Sequence, residues 1–297
     1  MCPRDTNDEK EVIMKIFSYD STGNKTPIDF DSFTFSGGEE HIRFNTVDFS
    51  TTVKIEIFER LTDSSKLVQL MIAVDALKRL SNQAFPIQLV IPYFPYARQD
   101  RVCVEGEALG AAVMASFINN LDFAKVTIWD AHSEVSPALL NRVVNVPQIN
   151  LLDRCNELSQ RLSTGELTLI SPDTGASKKT MKIAETFSGE PEVIQAQKMR
   201  NLKTGEIIKT EILGNVNGKK VLIADDICDG GRTFIELAKI LKDKGAVEIS
   251  LFVTHGIFSK GLEVFEGLID AIYTTDSFRA AAEFSTNNKI KLQIIEM

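Results

Sequence analysis

Residues 221–233 read Val221-Leu222-Ile223-Ala224-Asp225-Asp226-Ile227-Cys228-Asp229-Gly230-Gly231-Arg232-Thr233. The four apolar residues at the start predict a buried β-strand, and the pattern from Thr233 to Lys244 predicts a helix that Gly245 ends. Two carboxylates therefore come at the carboxyl end of a strand, where open α/β sheets bind their ligands. A third acid and two glycines connect the strand to the helix. This arrangement indicates both a fold class and the place of a binding site.

The same alternation of short apolar runs and helical patterns occurs in both halves of the chain. The first half predicts a strand over 88–91, a helix over 107–119 and a strand over 126–129. In the second half, the strand over 221–224 and its helix are followed by a strand over 249–253. Strands that alternate with helices are typical of parallel sheets. We therefore predict an α/β protein with mostly parallel sheets flanked by helices.

Length and repetition predict two tandem domains. At roughly 150 residues per domain, a chain of 297 residues favours two. Each half runs from an apolar strand through a charged loop and a helix to a second strand and a histidine, His132 or His255. This indicates a weak internal duplication, although any two α/β units share such a pattern. Because Asn145-Val146-Pro147 interrupts it, the predicted domains comprise residues 1–147 and 148–297.

Composition narrows the class of protein. Hydrophobic residues make up 43% and charged residues 25% of the chain, which is ordinary for a globular protein. No apolar run approaches the roughly 18 residues that a membrane span needs, and the charged N-terminal residues do not resemble a signal peptide. The net charge of −8 argues against a nucleic-acid-binding protein. The four scattered cysteines fit a reducing compartment, so we expect a cytoplasmic protein.

The segment from Asp225 to Thr233 combines two kinds of binding group. Backbone N–H groups in a glycine turn at a helix N-terminus bind anions such as phosphate. Ionised carboxylates only accept hydrogen bonds, so Asp225 and Asp226 suit a ligand that offers hydroxyl groups. A sugar phosphate meets both needs. Thr233 can cap the helix or donate to a phosphate oxygen. The alternative is a capped strand–helix turn with acids at a helix N-terminus, which needs no ligand.

A second polar segment follows the strand of the first half. Residues 92–101 read Pro92-Tyr93-Phe94-Pro95-Tyr96-Ala97-Arg98-Gln99-Asp100-Arg101. Arginine side chains bind phosphate oxygens through paired hydrogen bonds, and the aromatic side chains can enclose a base. The segment therefore indicates a nucleotide or polyphosphate site, with an ion-paired surface loop as the alternative.

These two segments carry a resemblance to a known family. Residues 221–233 resemble the ribose-5-phosphate loop shared by phosphoribosyltransferases and phosphoribosyl-pyrophosphate synthetases. Residues 92–101 resemble the ATP-binding signature of ribose-phosphate pyrophosphokinases, which phosphoribosyltransferases lack. Further segments are similar to motifs of the same family, in the same order: Phe35-Ser36-Gly37-Gly38-Glu39, Trp129-Asp130-Ala131-His132-Ser133, Ser171-Pro172-Asp173-Thr174-Gly175, Lys198-Met199-Arg200 and Thr254-His255-Gly256-Ile257-Phe258-Ser259. The resemblance to the ribose-phosphate pyrophosphokinase family implies two phosphoribosyltransferase-like domains.

The resemblance also implies a role for each segment. The residues implied to bind ribose 5-phosphate are Asp225, Asp226, Asp229, Gly230, Gly231, Arg232 and Thr233. The residues implied to bind ATP are Phe35, Gly37, Glu39, Arg98, Gln99, Asp100 and Arg101. The implied metal-binding residues are Asp130, His132 and Asp173, and the implied catalytic residues are Lys198 and Arg200. The N-terminal domain is thus expected to bind ATP and the C-terminal domain ribose 5-phosphate.

The implied reaction transfers the pyrophosphoryl group of ATP to the anomeric hydroxyl of ribose 5-phosphate. Its products are AMP and 5-phosphoribosyl 1-pyrophosphate, and Mg²⁺ is the expected cofactor, with ATP as co-substrate. The resemblance also implies a homo-oligomer, either a dimer or a hexamer. Two alternatives stay open, a catalytically silent regulatory homologue of the same family and a phosphoribosyltransferase.

Several positions depart from the family's motifs. Asn141 and Asn145 stand where the family often has acids, and Gly37 stands where it has an acid or an amide. The family's Asn-x-Arg-Gly segment has no counterpart, since Val47-Asp48-Phe49-Ser50-Thr51 occupies its place. These departures lie where the family assembles its subunits and responds to phosphate and ADP. Asn141 and Asn145 do not supply the family's acids for metal binding, and Gly37 has no side chain to recognise adenine. Regulation and oligomeric state are the properties that carry over least.

Overall fold

The computed structural model describes residues 14–173, 175–200, 207–285 and 289–297, with the backbone alone at 198–200 and 207–210. The chain divides into two compact units. The first comprises the residues up to Ile128 together with Val135–Val144. The second comprises Trp129–Glu134 together with the residues from Asn145 onward. The segment that carries His132 therefore belongs to the second unit, whereas the expected boundary after residue 147 grouped it with the first.

The first sheet has six strands and is partly parallel. Its elements and those beside it are β1 (Lys15–Tyr19), β2 (Lys25–Pro27), β3 (Phe30–Thr34), β4 (Glu40–Phe44), β5 (Lys54–Phe58), α1 (Ser64–Leu80), β6 (Ile87–Ile91), α2 (Gly110–Asn120), β7 (Lys125–Trp129), α3 (Val135–Leu139) and β8 (Val143–Val146). The strand order is β2-β1-β5-β6-β7-β8, with β5, β6 and β7 parallel and β1 antiparallel to β5. Strands β3 and β4 form a separate antiparallel hairpin.

The second sheet has seven strands, and all its described pairs but one are parallel. Its elements and those beside it are α4 (Gln148–Leu152), α5 (Asn156–Ser163), β9 (Leu167–Ser171), α6 (Ser177–Thr186), β10 (Val193–Arg200), β11 (Ile207–Leu213), β12 (Lys220–Cys228), α7 (Arg232–Asp243), β13 (Glu248–Gly256), β14 (Ala271–Thr275) and β15 (Lys291–Ile295). The order is β11-β10-β9-β12-β13-β14-β15, and only the pair of β10 and β11 is antiparallel. The predicted α/β fold with parallel sheets flanked by helices is thus confirmed, and the first sheet also contains antiparallel pairs at β1.

The hydrophobic pattern explains this packing. All five residues of β9 and all five of β14 are buried, as expected for strands of a parallel sheet covered on both faces. Helix α7 buries Phe234, Leu237, Ala238 and Leu241, which recur at the spacing of one helical face. These residues join a core cluster that continues into β12 and β13.

Two predicted boundaries differ from the structure. Helix α2 begins at Gly110 rather than at residue 107. The Glu107 carboxylate instead accepts hydrogen bonds from the N–H groups of Cys103 (2.9 Å) and Val104 (3.1 Å) and closes a separate turn. Strand β12 continues to Cys228, four residues beyond the predicted end, because its pairing with β13 continues as far as Gly256.

Across the described ranges, no helix combines the length and the apolar character that crossing a bilayer requires.

A buried acid after β5 makes the stability of the protein depend on pH. The Glu59 side chain is 2% exposed, and burial raises its pKa from 4.5 to about 7, although Lys66 at 3.9 Å and the Arg60 N–H oppose the shift. The folded state therefore holds this proton more tightly than the unfolded state. We expect the stability to fall as the pH rises from 4.5 to about 7, by about 2 kcal/mol between pH 5.5 and 7.5.

Glu59→Gln is expected to remove this part of the pH dependence, because the amide keeps an acceptor for the Arg60 N–H and does not ionise. The measurement is the midpoint of urea unfolding at pH 5.5 and 7.5. Glu105→Gln, at an exposed position, is the matched control and should follow the wild type. An unchanged pH dependence in Glu59→Gln would contradict the assignment.

Candidate functional site

The two carboxylates of the predicted binding loop lie within β12 rather than after it. Asp225 pairs in register with Val253 of β13, and the strand continues to Cys228. Asp226 is 7% exposed and Asp225 is half-buried. Since β9, β12 and β13 are parallel, their carboxyl ends meet at one edge of the sheet. The acids are therefore held by backbone pairing at the edge where the sequence predicts the ligand.

The turn after β12 ends in a helix N-terminus without a side-chain cap. Gly231 is the N-cap residue of α7, has a left-handed backbone with φ 75°, and offers no side-chain hydrogen bond to the first turn. Thr233 lies inside the first turn, so it does not cap the helix; whether the turn binds a ligand stays a prediction. The first N–H groups of a helix have no partner within the helix. The turn thus has the form of an anion-binding site.

Gly231 is required by both conformation and space. A Cβ added there would lie 2.4 Å from Cζ of Phe265, and an alanine in the left-handed region costs roughly 1–2 kcal/mol before any clash. We expect Gly231→Ala to lower the free energy of unfolding by at least about 2 kcal/mol, measured by urea unfolding. Gly230→Ala is the matched control, since its Cβ would lie 3.5 Å from the nearest atom of Lys260. Equal losses in the two variants would contradict the explanation.

His132 lies against one of the two strand carboxylates. Its Nδ1 lies 2.7 Å from Oδ2 of Asp226. Burial of Asp226 works against ionisation, but the hydrogen bond from His132 and the charge of Lys179 together lower the pKa of Asp226 below its ordinary value. The burial of Asp225 and the adjacent Asp226 raise the pKa of Asp225 well above its ordinary value. The pKa is thus raised at Asp225 and lowered at Asp226, although the two acids are adjacent in the sequence.

Lys179 is a central residue of this site that the sequence analysis missed. Its Nζ lies 2.7 Å from Oδ1 of Asp130, 3.0 Å from the carbonyl oxygen of Ala131 and 3.6 Å from Oδ2 of Asp226. Burial opposes its charge, but Asp130 and Asp226 outweigh burial and raise the pKa of Lys179. In sequence, Lys179 is one of two adjacent lysines in a polar helix. The only signal was that this helix follows the carboxyl end of β9.

The Asp130 carboxylate forms hydrogen bonds and an ion pair with other residues of the protein. Besides Lys179, it accepts hydrogen bonds at Oδ2 from Oγ1 of Thr254 (2.6 Å) and from Nε2 of Gln148 (2.9 Å), and it is 3% exposed. Both carboxylate oxygens are therefore engaged. The metal-binding role expected of Asp130 stays a prediction, and these contacts favour a role in holding Lys179 instead.

The histidine at the carboxyl end of β13 is buried and hydrogen-bonded to other residues of the second unit. His255 is 2% exposed, and burial lowers its pKa. Its Nδ1 lies 2.8 Å from Oγ of Ser277, and its Nε2 lies 3.1 Å from the carbonyl oxygen of Trp129. With both ring nitrogens engaged inside the second unit, His255 fixes the segment that carries Asp130 and His132.

The remaining predicted metal ligand, Asp173, follows β9 in a tight turn. Its Oδ1 accepts a hydrogen bond from the N–H of Ala176 at 3.1 Å. Its charge also contributes to the raised pKa of Asp225. In the described ranges, no group of three or more His, Cys, Asp or Glu side chains is arranged to hold a metal ion.

These residues fit Mg²⁺ if the substrates complete its coordination shell. Mg²⁺ usually keeps several waters and binds proteins through one or two carboxylates together with substrate phosphates. A cation near Asp173 and Asp225 would also relieve the repulsion between their charges. Asp173 therefore suits an ion that binds together with a nucleotide. An imidazole is an unusual ligand for Mg²⁺, so His132 suits a contact through a water molecule or with a phosphate.

The two predicted catalytic residues lie at the end of β10. Lys198 and Arg200 belong to this strand, but their side chains lie outside the described residues. Strand β10 runs parallel to β9, with Gln195 beside Ser171. The backbone at Lys198 is therefore three residues further toward the carboxyl edge, on the side where Asp173 follows β9.

The first unit carries the residues predicted to bind ATP, in two segments. Phe35, Gly37 and Glu39 form the turn of the β3–β4 hairpin, closed by the hydrogen bond from the Phe35 N–H to the Glu39 carbonyl oxygen at 2.8 Å. The Phe35 ring is 48% exposed and lies 4.8 Å from Phe33 and 5.7 Å from His41, between ring centroids. Neither Phe33 nor His41 was predicted. The exposed rings offer a stacking surface for a planar ligand.

The second segment predicted to bind ATP, residues 98–101, contains both exposed and buried side chains. Arg98 and Gln99 are exposed, whereas Asp100 is 8% exposed. The Arg101 Nε lies 3.2 Å from Oδ1 of Asp100. Asp100 is therefore paired with Arg101, and the ATP-binding role expected of Asp100 stays a prediction.

Comparisons with known proteins agree with this architecture. Residues 13–121 match the family described as the N-terminal domain of ribose phosphate pyrophosphokinase. Residues 162–296 match the family described as the phosphoribosyl synthetase-associated domain. The chain also resembles the crystal structure of phosphoribosylpyrophosphate synthetase from Mycobacterium smegmatis, with a TM-score of 0.74, 22% identity, and coverage of 91% of this chain and 86% of that one. That likeness supports the tandem phosphoribosyltransferase-type fold.

Curated relatives are similar over most of the chain. A ribose-phosphate pyrophosphokinase of Mycoplasma genitalium is 32% identical over 266 residues, which are 84% of this chain and 77% of that protein. One of Mycoplasmopsis pulmonis is 30% identical over 72% of this chain, and one of Cereibacter sphaeroides is 32% identical over 74%. The chain spans 65% of the length of each of these last two. The chain belongs to the ribose-phosphate pyrophosphokinase family.

Proposed function

We propose that the protein is a ribose-phosphate diphosphokinase, which transfers the pyrophosphoryl group of ATP to the anomeric hydroxyl of ribose 5-phosphate. The observation that carries the proposal is the pair Asp225 and Asp226 followed by the uncapped helix N-terminus at Gly231, in a chain of this family. Carboxylates at one end and N–H groups at the other match a ligand with a diol and a phosphate.

In this proposal, the second unit binds ribose 5-phosphate and the first unit binds ATP. Asp225 and Asp226 accept hydrogen bonds from the ribose hydroxyls, and the turn from Asp229 to Thr233 binds the 5-phosphate. Arg98, Gln99 and Arg101 bind the triphosphate, and Phe35 and Glu39 bind the adenosine. Asp226 orients the His132 ring through Nδ1.

The transfer joins the anomeric oxygen to the β-phosphorus and breaks the bond between that phosphorus and the oxygen of the α-phosphate, so that AMP leaves. Such reactions depend on positioning and on neutralising charge. Mg²⁺ held by His132 and Asp173 would neutralise phosphate charge. Lys198 and Arg200 stabilise charge that develops on the transferred group.

The test is a product assay with ATP, ribose 5-phosphate and Mg²⁺. AMP and 5-phosphoribosyl 1-pyrophosphate in equal amounts are expected. 2-Deoxyribose 5-phosphate is the substrate control, because it lacks one of the hydroxyl groups that Asp225 and Asp226 are proposed to bind. ADP as the product would indicate a kinase, and pyrophosphate release from 5-phosphoribosyl 1-pyrophosphate with a base would indicate a phosphoribosyltransferase.

The main rival is a catalytically silent homologue that regulates another subunit. The proposal of activity is supported by His132, Asp173, Lys198 and Arg200, since a silent protein is expected to lose such residues. The rival predicts no AMP from any of these sugars.

We further propose that the protein is cytoplasmic and forms a homo-oligomer, either a dimer or a hexamer. Sedimentation velocity would test the oligomeric state.

A further inference from the structure

The loop after β13 is attached to the proposed phosphate-binding turn. The N–H groups of Ile257 and Phe258 donate to the carbonyl oxygen of Cys228, at 2.9 and 3.1 Å. Ser259 donates from its N–H to the carbonyl oxygen of Asp229 (3.2 Å) and from its hydroxyl to Oδ1 of the same residue (2.6 Å). The next residue of this loop is therefore held beside the turn by four hydrogen bonds.

That next residue is Lys260, and its side chain lies over Gly230. A Cβ built on Gly230 would lie 3.5 Å from Cε, 3.6 Å from Cδ and 3.8 Å from Cγ of Lys260. The aliphatic part of the lysine thus lies along the turn, and the ammonium group is one bond beyond Cε. At these distances a Cβ at position 230 would be in ordinary van der Waals contact with the lysine.

The cation expected from the sequence is engaged elsewhere. Arg232 lies in the turn itself, but its Nε is 2.8 Å from Oε1 of Glu236 one helical turn later, and its side chain is 86% exposed. A guanidinium paired along the outer face of α7 contributes less to a ligand at the turn. Lys260 is a cationic side chain that the structure places against Gly230.

We propose that Lys260 is a further ligand-binding residue, whose ammonium group binds the terminal phosphate of the sugar phosphate in the turn 229–233. The inference rests on the proposed function and deepens it. A lysine brings a compact positive charge with three donors, which complements the N–H groups of the helix N-terminus. The Lys260 ammonium group is not expected to contribute to the binding of a sugar that has no phosphate.

The experiment is calorimetric titration of the full-length protein with ribose 5-phosphate and with ribose. Lys260→Gln is expected to weaken ribose 5-phosphate binding roughly 10-fold, the effect of losing one charge-assisted hydrogen bond. The kcat at saturating sugar phosphate should stay the same, and ribose binding should not change. Lys260→Arg should retain most of the affinity. Lys239→Gln, at an exposed position on α7, is the matched control and should behave as the wild type.

The outcomes separate this inference from the proposed function. If the wild type and Lys260→Gln bind ribose 5-phosphate equally, the role of Lys260 is wrong while the proposed function stands. If Lys260→Gln weakens ribose as much as ribose 5-phosphate, the variant disturbs the site generally and the phosphate contact is wrong. If the wild type does not bind ribose 5-phosphate, the proposed function fails and this inference fails with it.

Discussion

Lys198→Ala is expected to lower kcat by about 10²- to 10³-fold, which is the usual cost of losing one donor that stabilises charge in the transition state. Ribose 5-phosphate binding should survive, because the groups proposed to bind the sugar phosphate lie on β12, at the turn before α7 and on the loop after β13. Lys198 belongs to a different strand, β10, which extends past the end of β9. The measurements are kcat from AMP formation and the Kd of ribose 5-phosphate from calorimetry.

A lysine from the same unit provides the control for this variant. Lys182 is exposed on α6, and Lys182→Ala should leave both quantities unchanged. Loss of ribose 5-phosphate binding in parallel with kcat would contradict the role assigned to Lys198, since it would show that the residue supports the sugar site rather than the transfer.

Lys179→Met is expected to destabilise the protein by about 3 kcal/mol or more, because the substitution leaves a buried carboxylate without its cation. Asp130 is 3% exposed, and Lys179 lies 2.7 Å from one of its oxygens. Asp226 also loses a neighbouring positive charge, so the affinity for ribose 5-phosphate should change as well. Urea unfolding measures the first effect and calorimetry the second.

A second substitution tests whether the loss comes from the ion pair. In Lys179→Met combined with Asp130→Asn, the uncompensated charge is absent, so part of the lost stability should return and the two single effects should not add. Lys178→Met, at the exposed neighbouring position, should have little effect. Strict additivity of the two single substitutions would contradict the proposed pairing.

Much of the fold could be predicted because it depends on local patterns. The apolar residues of β12, the glycine turn and the amphipathic face of α7 are each encoded in fewer than fifteen consecutive residues. The end of β12 was predicted too early, because charged residues at positions 225 and 226 interrupt the apolar run. Pairing with β13, which is distant in sequence, extends the strand through them.

The candidate site was predicted where its residues lie together in one short segment of the sequence. Asp225, Asp226 and the glycines belong to one segment, and the chemistry of that segment suggested a sugar phosphate. Lys260 was not predicted, because nothing in its own segment relates it to Gly230. Their proximity arises from the hydrogen bonds between the loop after β13 and Cys228.

The sequence by itself determined the family, the alternation of strands and helices and the position of the acidic strand end, because these depend on residue type and on spacing along the chain. Only the tertiary structure decided what each charge does. Asp130, Lys179 and Asp226 come from three separate segments, and the pKa of a carboxyl group depends on burial and on charges within a few ångströms. Those distances exist only after the parallel strands have brought their carboxyl ends together.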